Sequence, residues 1–297
     1  MSNHLINGIQ IEIETHGADD APAFLLVRGL STQLIQWPDA FLRALVDAGF
    51  RVIVFDNRDC GLSQKFDESG TPSLPELLSG KIEAPYHIAD MAKDAVGVLD
   101  HLGIESAHAA GISLGGMVAQ HLAFSHGDRF DSIASIMSTS GAPGLPSGTP
   151  EAMEALTSQP SDPTDRECVI LHGMKTQKVI SSPSYPPTED ELRSYVERAY
   201  DRCHCPDGSA RQLAAVLTDG SRVDDLARID LPFLVIHGDA DPLIPLACGE
   251  DTANRTPGAK LVVIPGMGHD ITKANSPIVT RHLIDHAGQS LGGAATD

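Results

Sequence analysis

A serine flanked by glycines stands between a short apolar run and an apolar, helix-like segment. Gly111-Ile112-Ser113-Leu114-Gly115 has the pattern G-x-S-x-G, after the run at 108–111 and before the segment at 117–124. A strand, a sharp turn at the serine and a helix would expose the hydroxyl, and the two glycines let the turn tighten without side-chain collisions. The helix N-terminus would also direct free N–H groups at developing negative charge. We therefore predict that Ser113 is a nucleophile; the alternative is a serine that only caps the helix.

A histidine and an aspartate follow later strand-like runs. A serine hydroxyl is a weak nucleophile unless a base takes its proton and an acid orients that base. His269 comes after the last strand-like run, in a loop with two glycines at 266–268, and Asp241 follows the run at 233–236. Asp239 competes with Asp241, but Pro242 fixes the loop beyond Asp241, and we expect Asp239 to cap the turn. The pattern predicts His269 as the base and Asp241 as the orienting acid.

Backbone N–H groups are the expected donors for the oxyanion of an acyl-transfer reaction. One belongs to Leu114, directly after the nucleophile, and the second to Leu30, in the loop after the run at 24–27. Gly29 lets this loop approach closely. The pocket should lie between the turn at Ser113 and the insertion at 141–230. The residues that we expect to line it are Gly29, Leu30, Trp37, Leu114 and Met174.

The elements that position these residues are short strands alternating with helices. Apolar runs occur at 24–27, 52–55, 108–111, 133–137, 233–236 and 261–264, and they are continuous rather than alternating. Such runs indicate strands buried on both faces of a parallel sheet. Helix-like segments at 38–48, 89–102 and 117–124 lie between them, and Gly8 separates the strands of an N-terminal hairpin. The predicted fold is α/β, with a doubly wound, mostly parallel sheet.

The alternating pattern stops between residues 140 and 230. This stretch is rich in proline, contains helix-like pieces at 189–200 and 210–217, and has no buried-strand run. We predict a helical cap at 141–230, inserted into a core formed by residues 1–140 and 231–297. The cap should lie over the carboxyl edge of the sheet, where α/β proteins bind ligands. The alternative is a disordered linker.

These elements together resemble the α/β-hydrolase superfamily over nearly the whole chain. Asp56-Asn57-Arg58-Asp59-Cys60-Gly61-Leu62-Ser63 is similar to its D-x-R-x-x-G-x-S segment, in which we expect Asp56 and Arg58 to form a structural ion pair. Trp37-Pro38-Asp39 together with this segment most resembles the aclacinomycin methylesterase-like branch of bacterial esterases. One residue departs from the pattern, because the loop that often reads His-Gly is Arg28-Gly29 here. Since the donor in that loop is a backbone group, we expect the oxyanion site to survive.

Charge and cysteine content exclude some classes of partner. The chain has 21 Lys and Arg against 40 Asp and Glu, for a formal charge of −19, which repels nucleic acids and anionic membrane surfaces. No run is long enough to cross a bilayer, and we expect no secretory signal. The five cysteines are odd in number, which favours a reducing cytoplasm. For Cys203-His204-Cys205 we expect free thiols rather than a metal, and we expect no cofactor.

The predicted activity is hydrolysis of small to medium carboxylic esters through an acyl-enzyme on Ser113. A carbon–carbon bond hydrolase, a lactonase or a perhydrolase would use the same three residues, so these reactions stay open. A dehalogenase or an epoxide hydrolase is disfavoured, because both need a carboxylate at position 113. A hypothesis of another class is a small-molecule binding protein with a hydrolase-like fold, against which the intact set of three residues counts. A homodimer stays open.

Overall fold

The computed structural model describes residues 2–79 and 82–292, in which one mixed sheet forms the centre of the molecule. Its strands are β1 Ser2–Ile6, β2 Ile9–His16, β3 Ala23–Val27, β4 Arg51–Phe55, β5 Ala107–Ile112, β6 Phe130–Ile136, β7 Phe233–Gly238 and β8 Lys260–Ile264. The spatial order is β1-β2-β4-β3-β5-β6-β7-β8. Strands β3 to β8 are parallel, while β2 runs antiparallel to both β1 and β4. The predicted α/β fold with a mostly parallel sheet is confirmed.

The hairpin β1–β2 turns at Asn7-Gly8, as the position of Gly8 suggested. Both residues have positive φ, 51° at Asn7 and 83° at Gly8. Two consecutive residues of this kind match the right-handed twist of the flanking strands. The hairpin adds two antiparallel strands at one end of the parallel sheet.

Helices cover both faces of this sheet. Those of the described chain are α1 Asp39–Asp47, α2 Leu74–Ser79, α3 Ile88–His101, α4 Leu114–Ser125, α5 Pro150–Thr157, α6 Arg166–Ile180, α7 Glu189–Arg202, α8 Pro206–Thr218, α9 Val223–Leu226, α10 Leu246–Arg255 and α11 Ser276–Gly292. Leu25 and Ile53 pack in the cluster that contains α3 and α4, whereas Leu26 and Val52 pack in the cluster that contains α1 and α11. Side chains alternate along a strand, so a continuous apolar run fills both clusters. None of these helices is long and apolar enough to cross a membrane.

Strand β8 departs from the expectation of burial on both faces. It lies at the end of the sheet and pairs only with β7. Val262 and Ile264 pack against the cluster with α11, but Leu261 and Val263 on the other face are 37% and 38% exposed. The run at 261–264 is therefore a half-buried edge strand, with one face packed and the other largely exposed.

The stretch between β6 and β7 is helical, with α5 to α9 and no strand in residues 141–230. Three of its helices begin at capping side chains: Thr149 accepts a hydrogen bond from Ala152 N, Asp165 from Cys168 N, and Thr188 from Glu191 N. Such caps satisfy backbone N–H groups that a helix start leaves free. Side chains of α6 and α7 form a small apolar cluster of Ile170, Met174, Leu192 and Val196.

Ion pairs and apolar contacts attach this helical insertion (residues 141–230) to the rest of the chain. Arg202 pairs with Asp56 at 2.7 Å, and Arg211 pairs with Asp59 through two hydrogen bonds of 2.8 and 2.9 Å. Leu226 of α9 lies in the main core cluster. The end of the insertion thus shares the core of the sheet, and its division from the core at residue 230 stays a prediction.

The predicted ion pair between Asp56 and Arg58 is wrong. Arg58 makes a two-point pair with Asp94 of α3, at 2.7 and 2.9 Å. The Asp56 carboxylate instead accepts N–H bonds from Leu34 and Leu62. The left-handed turn at Gly61, with φ 50°, brings the second of these N–H groups onto the carboxylate.

Candidate active site

Ser113 stands in a strained turn between β5 and α4. Its φ is 56° and its ψ is −119°, a conformation that costs a residue with a side chain about 1–3 kcal/mol. A Cβ on Gly111 would lie 1.8 Å from Gly115 O, and one on Gly115 would lie 2.3 Å from Val27 O. Both glycines are therefore required by the close approach of backbone atoms. The turn raises the Ser113 side chain above the carboxyl edge of the sheet.

The three residues predicted to act together lie within hydrogen-bond distance of one another. Ser113 Oγ is 2.9 Å from His269 Nε2, and His269 Nδ1 is 2.8 Å from Asp241 Oδ2. An ionised carboxylate only accepts hydrogen bonds, so Nδ1 carries the proton and Nε2 accepts from the serine hydroxyl. This arrangement gives the hydroxyl a base and gives the base a fixed orientation.

The loop after β8 places His269 over the sheet edge, and its glycines make this possible. Gly266 has a φ of 69°, and a Cβ on Gly268 would lie 2.7 Å from Ile180 O. The backbone N–H of His269 donates to the same Ile180 carbonyl at 2.8 Å. The end of α6 therefore holds the histidine loop from the side of the insertion, a contact that the sequence did not indicate.

Asp241 and Asp239 have the separate positions that the sequence suggested. Asp241 Oδ1 accepts hydrogen bonds from the N–H groups of Leu243 and Ile244, both at 2.9 Å, which leaves Oδ2 for His269. Asp239 Oδ1 accepts from Gly266 N at 2.6 Å and so holds the turn before the histidine loop.

The surroundings of Asp241 favour its charged form. Burial raises the pKa of this carboxyl, but the charge and hydrogen bond of His269 and the N–H of Ile244 outweigh burial and lower the pKa below its usual range. A second histidine, His237, lies 3.6 Å from Asp241 and donates from Nε2 to Ile244 O at 2.8 Å. Burial lowers the pKa of His237, which favours the neutral form of this ring. Asp241 keeps its charge for His269.

The two segments that carry the predicted oxyanion donors lie close to Ser113. Leu114 opens α4, so its N–H lies at the helix N-terminus. Gly29 lies close to Ser113, since a Cβ there would lie 3.2 Å from Ser113 Cβ and 3.7 Å from Ser113 Oγ. Leu30 follows Gly29, and Ser31 beyond it is held in a left-handed conformation by a bond from its N–H to Gln212 of α8. The role of these donors stays a prediction.

A cavity of about 1360 Å³ opens above Ser113 and His269. Of the residues expected to line it, Gly29, Leu30, Trp37 and Leu114 do so. The expectation for Met174 is wrong, because this side chain points into the small cluster between α6 and α7. The sequence analysis did not identify α6 as a helix, so it could not indicate which of its faces meets the cavity.

Several lining residues were missed by the sequence analysis. Tyr195 of α7, Asp270 beside the histidine, and Arg28 all border the cavity. Met153 and Leu217 line it as well, and they are exposed large apolar side chains of α5 and α8. The departure from His-Gly at Arg28 was a signal for that arginine.

The segment Cys203-His204-Cys205 lies between α7 and α8 with free thiols. The His204 ring contacts the Tyr200 ring, with 4.8 Å between their centres. Across residues 2–79 and 82–292, no group of three or more His, Cys, Asp and Glu side chains is arranged to hold a metal ion.

Comparisons with known proteins identify the family. A family model described as the alpha/beta hydrolase fold matches residues 22–273. The chain is 28% identical to rhodomycin D methylesterase DnrP of Streptomyces peucetius, over 92% of this chain and 94% of that protein. It is 30% identical to rhodomycin D methylesterase DauP of Streptomyces sp. strain C5, over 86% and 87%. The resemblance to the methylesterase branch is thereby confirmed.

A solved structure shows the same fold. The enol-lactonase of Burkholderia xenovorans LB400 superposes with a TM-score of 0.75 at 23% identity, covering 97% of this chain and all of that one. Fold, family match and relatives lead to one conclusion. The chain belongs to the α/β-hydrolase fold family and is a hydrolase.

Proposed function

We propose that this chain hydrolyses carboxylic esters through an acyl-enzyme formed on Ser113. The observation that carries the proposal is the continuous hydrogen-bond path from Ser113 Oγ through His269 to the buried Asp241 carboxylate, at the wall of a large cavity. A serine outside such a path has no base within reach to take its proton. The methylesterase names of the two relatives support ester hydrolysis as the reaction.

In the proposed mechanism, His269 Nε2 takes the proton from Ser113 as Oγ attacks the ester carbonyl carbon. The Asp241 carboxylate stabilises the imidazolium that forms. The N–H groups of Leu30 and Leu114 bind the oxyanion of the tetrahedral intermediate. The C–O bond then breaks, and His269 returns its proton to the leaving alkoxide, so that an alcohol departs. Water, deprotonated by His269, attacks the acyl-enzyme and releases the acid and free Ser113.

The cavity sets the size of the ester. Its volume of about 1360 Å³ exceeds the range of about 300–1,000 Å³ that holds most small ligands. Aliphatic side chains of the insertion line much of it, including Leu213 and Leu217 of α8. We infer that the substrate combines a bulky, largely apolar acid with a small alcohol, as the methylesterase names of the relatives suggest. This extends the sequence-based expectation of small to medium esters.

The first test is hydrolysis of p-nitrophenyl esters, from acetate to palmitate, by the wild type and by Ser113→Ala. Ser125→Ala is the matched control, because Ser125 is exposed at the far end of the same helix. We expect the wild type and the control to turn over the esters and Ser113→Ala to lose about 10⁴-fold in kcat. Near-normal turnover by Ser113→Ala would overturn the assignment.

A fluorophosphonate probe separates ester hydrolysis from the other open readings. Labelling of Ser113 without ester turnover would redirect the search to lactones, carbon–carbon substrates or peracid formation. A pure binding protein without an activated serine would stay unlabelled.

A further inference from the structure

Arg28 is a buried arginine that no carboxylate neutralises. It follows β3 directly and is 4% exposed. The other buried arginines each meet an aspartate: Arg58 meets Asp94, Arg211 meets Asp59, and Arg222 meets Asp219. Within the described residues, no carboxylate oxygen lies within 4.0 Å of Arg28, in a chain with 40 acidic residues. Buried charges are normally paired, so this guanidinium calls for an explanation.

Most hydrogen-bond donors of Arg28 are unused by the protein. Nη2 donates to the Tyr195 hydroxyl at 2.9 Å, while Nε and Nη1 are buried without a partner. The guanidinium carbon stands 4.8 Å from the centre of the Trp37 ring, and the indole Nε1 is also buried without a partner. A buried donor without an acceptor destabilises the fold. The neighbouring orphan atoms Arg28 Nε, Arg28 Nη1 and Trp37 Nε1 are all donors, so the complementary group is an acceptor.

The residues that carry these donors form part of the cavity wall, and the orphan atoms themselves are covered by protein atoms. Arg28, Trp37 and Tyr195 all line the cavity that contains Ser113. Gly29, the next residue after Arg28, lies close to Ser113, because a Cβ on this glycine would lie 3.2 Å from Ser113 Cβ. Burial lowers the pKa of Arg28, and the Tyr195 phenol and the Cys60 thiol offset this only in part. An anion in the cavity would supply the missing counter-charge once the Arg28 side chain rotated to meet it.

We propose that Arg28, together with the indole N–H of Trp37, binds an anionic oxygen group of the substrate, such as a carboxylate. Tyr195 positions the guanidinium through its hydroxyl. The chain therefore prefers esters that carry a second, negatively charged oxygen group over neutral esters of the same size. This inference rests on the proposed ester hydrolysis at Ser113 and adds the chemical class of the substrate.

The test compares matched anionic and neutral esters in two arms. On the acid side, the monomethyl esters of succinate, glutarate and adipate are compared with methyl butyrate, valerate and hexanoate. On the alcohol side, acetoxyacetate is compared with propyl acetate. We expect the wild type to show a kcat/KM ratio of about 10- to 100-fold in favour of the anionic ester in one arm, which identifies the side of the substrate that Arg28 reads.

Variants assign the preference to Arg28. Arg28→Met should bring the ratio close to one, and Arg28→Lys should keep part of it, because lysine keeps the charge but lacks the planar fork. Arg193→Met is the matched control for loss of one positive charge: Arg193 lies on α7 with Tyr195 and pairs with Glu167 outside the cavity. We expect this control to keep the wild-type ratio. Thermal melting shows whether each variant folds. If Arg28→Met does not fold, the kcat/KM ratio of Arg28→Lys is the measurement that tests the role of Arg28.

Calorimetric binding to Ser113→Ala makes the test independent of turnover. The anionic ester of the arm that shows the preference should bind at least about tenfold more tightly than its neutral match, and adding Arg28→Met should remove this difference. Equal binding of the two esters, or equal kcat/KM in both arms by a wild type that hydrolyses neutral esters, would overturn the inference and leave the proposed function standing. Absence of ester turnover and of Ser113 labelling would instead overturn the proposed function.

Discussion

The turn at Ser113 and the helical insertion that faces it are held in place by different forces. At the turn, backbone atoms approach so closely that Gly111 and Gly115 have no room for a Cβ. The insertion is attached by side-chain ion pairs, such as Arg202 with Asp56 and Arg211 with Asp59, whose partners are 146 and 152 residues apart. A local steric requirement leaves a short motif in the sequence, whereas a distant ion pair leaves none. The contrast explains why the sequence indicated the first region better than the second.

The largest expected effect concerns the region of the turn at Ser113, and Asp241→Asn tests it. The amide would favour the wrong histidine tautomer, so kcat should fall about 10⁴-fold with the fold retained. Steady-state kinetics with a p-nitrophenyl ester and a thermal melt measure the two effects. Asp239→Asn is the matched control, since Asp239 bonds to Gly266 N instead of a histidine, and we expect a far smaller loss. Similar losses in the two variants would show that the orienting acid is misassigned.

The second prediction concerns the close approach at the turn. In Gly111→Ala, the new Cβ would lie 1.8 Å from Gly115 O, a backbone atom that cannot rotate away. We expect a loss of more than about 4 kcal/mol in the free energy of unfolding, or no folded protein. Gly288→Ala in α11 is the control, because a Cβ there meets nothing within 4 Å, and alanine should stabilise that helix by about 0.5–1 kcal/mol. Urea denaturation measures the free energy of unfolding of both variants. A loss of less than about 1 kcal/mol in Gly111→Ala would refute the steric account.

The third prediction tests how the insertion is attached. Arg211→Met removes the partner of the fully buried Asp59 carboxylate, which then keeps only the Tyr86 hydroxyl among its side-chain donors. Breaking a buried pair in this way should cost about 3–5 kcal/mol in urea denaturation. Arg193→Met, also in the insertion, removes an exposed pair with Glu167 and should cost no more than about 1 kcal/mol. Equal costs would mean that ion pairs with the core do not hold the insertion.

The smallest expected effect depends on pH and concerns Asp219, at the end of α8. Burial raises its pKa, but the hydrogen bond from His121 and the charge of Arg222 outweigh this and lower the pKa below its usual value of about 3.9. A lowered folded pKa stabilises the fold above the unfolded pKa, and this contribution disappears as the pH falls through the folded value. At pH 7, we expect the free energy of unfolding of the wild type to exceed that of Asp219→Asn by about 1–3 kcal/mol.

Thermal melts of the wild type and of Asp219→Asn between pH 7 and pH 3 follow this difference in stability. It should stay constant down to about pH 4 and shrink below it. A gap that widens as the pH falls would contradict the sign of the shift.

The fold and the main residues of the site were largely predictable from local patterns. Continuous apolar runs predict buried parallel strands, and glycines beside Ser113 and before His269 predict tight loops at the sheet edge. The structure then places Ser113, Asp241 and His269 within hydrogen-bond distance of one another. Backbone sterics acts between near neighbours in the chain, which is why these patterns are visible in the sequence.

Features that depend on distant partners were not predictable. Arg58 pairs with Asp94 rather than with Asp56, because the loop after β4 directs it to α3. Met174 faces the neighbouring helix α7 and not the cavity. In both cases, the side chain's environment is set by an element far along the chain, and periodicity alone does not say which element that is.

The most direct measurement of the central claim is the location of the acyl group during turnover. Rapid mixing with p-nitrophenyl butyrate should release a burst of p-nitrophenol equal to the enzyme concentration if loss of the acyl group is the slower step. Acid quenching followed by peptide mass spectrometry should then find a butyryl group on the peptide that contains Ser113. Our account predicts this adduct in the wild type and its absence in Ser113→Ala. An adduct on another residue, or efficient turnover by Ser113→Ala, would contradict it.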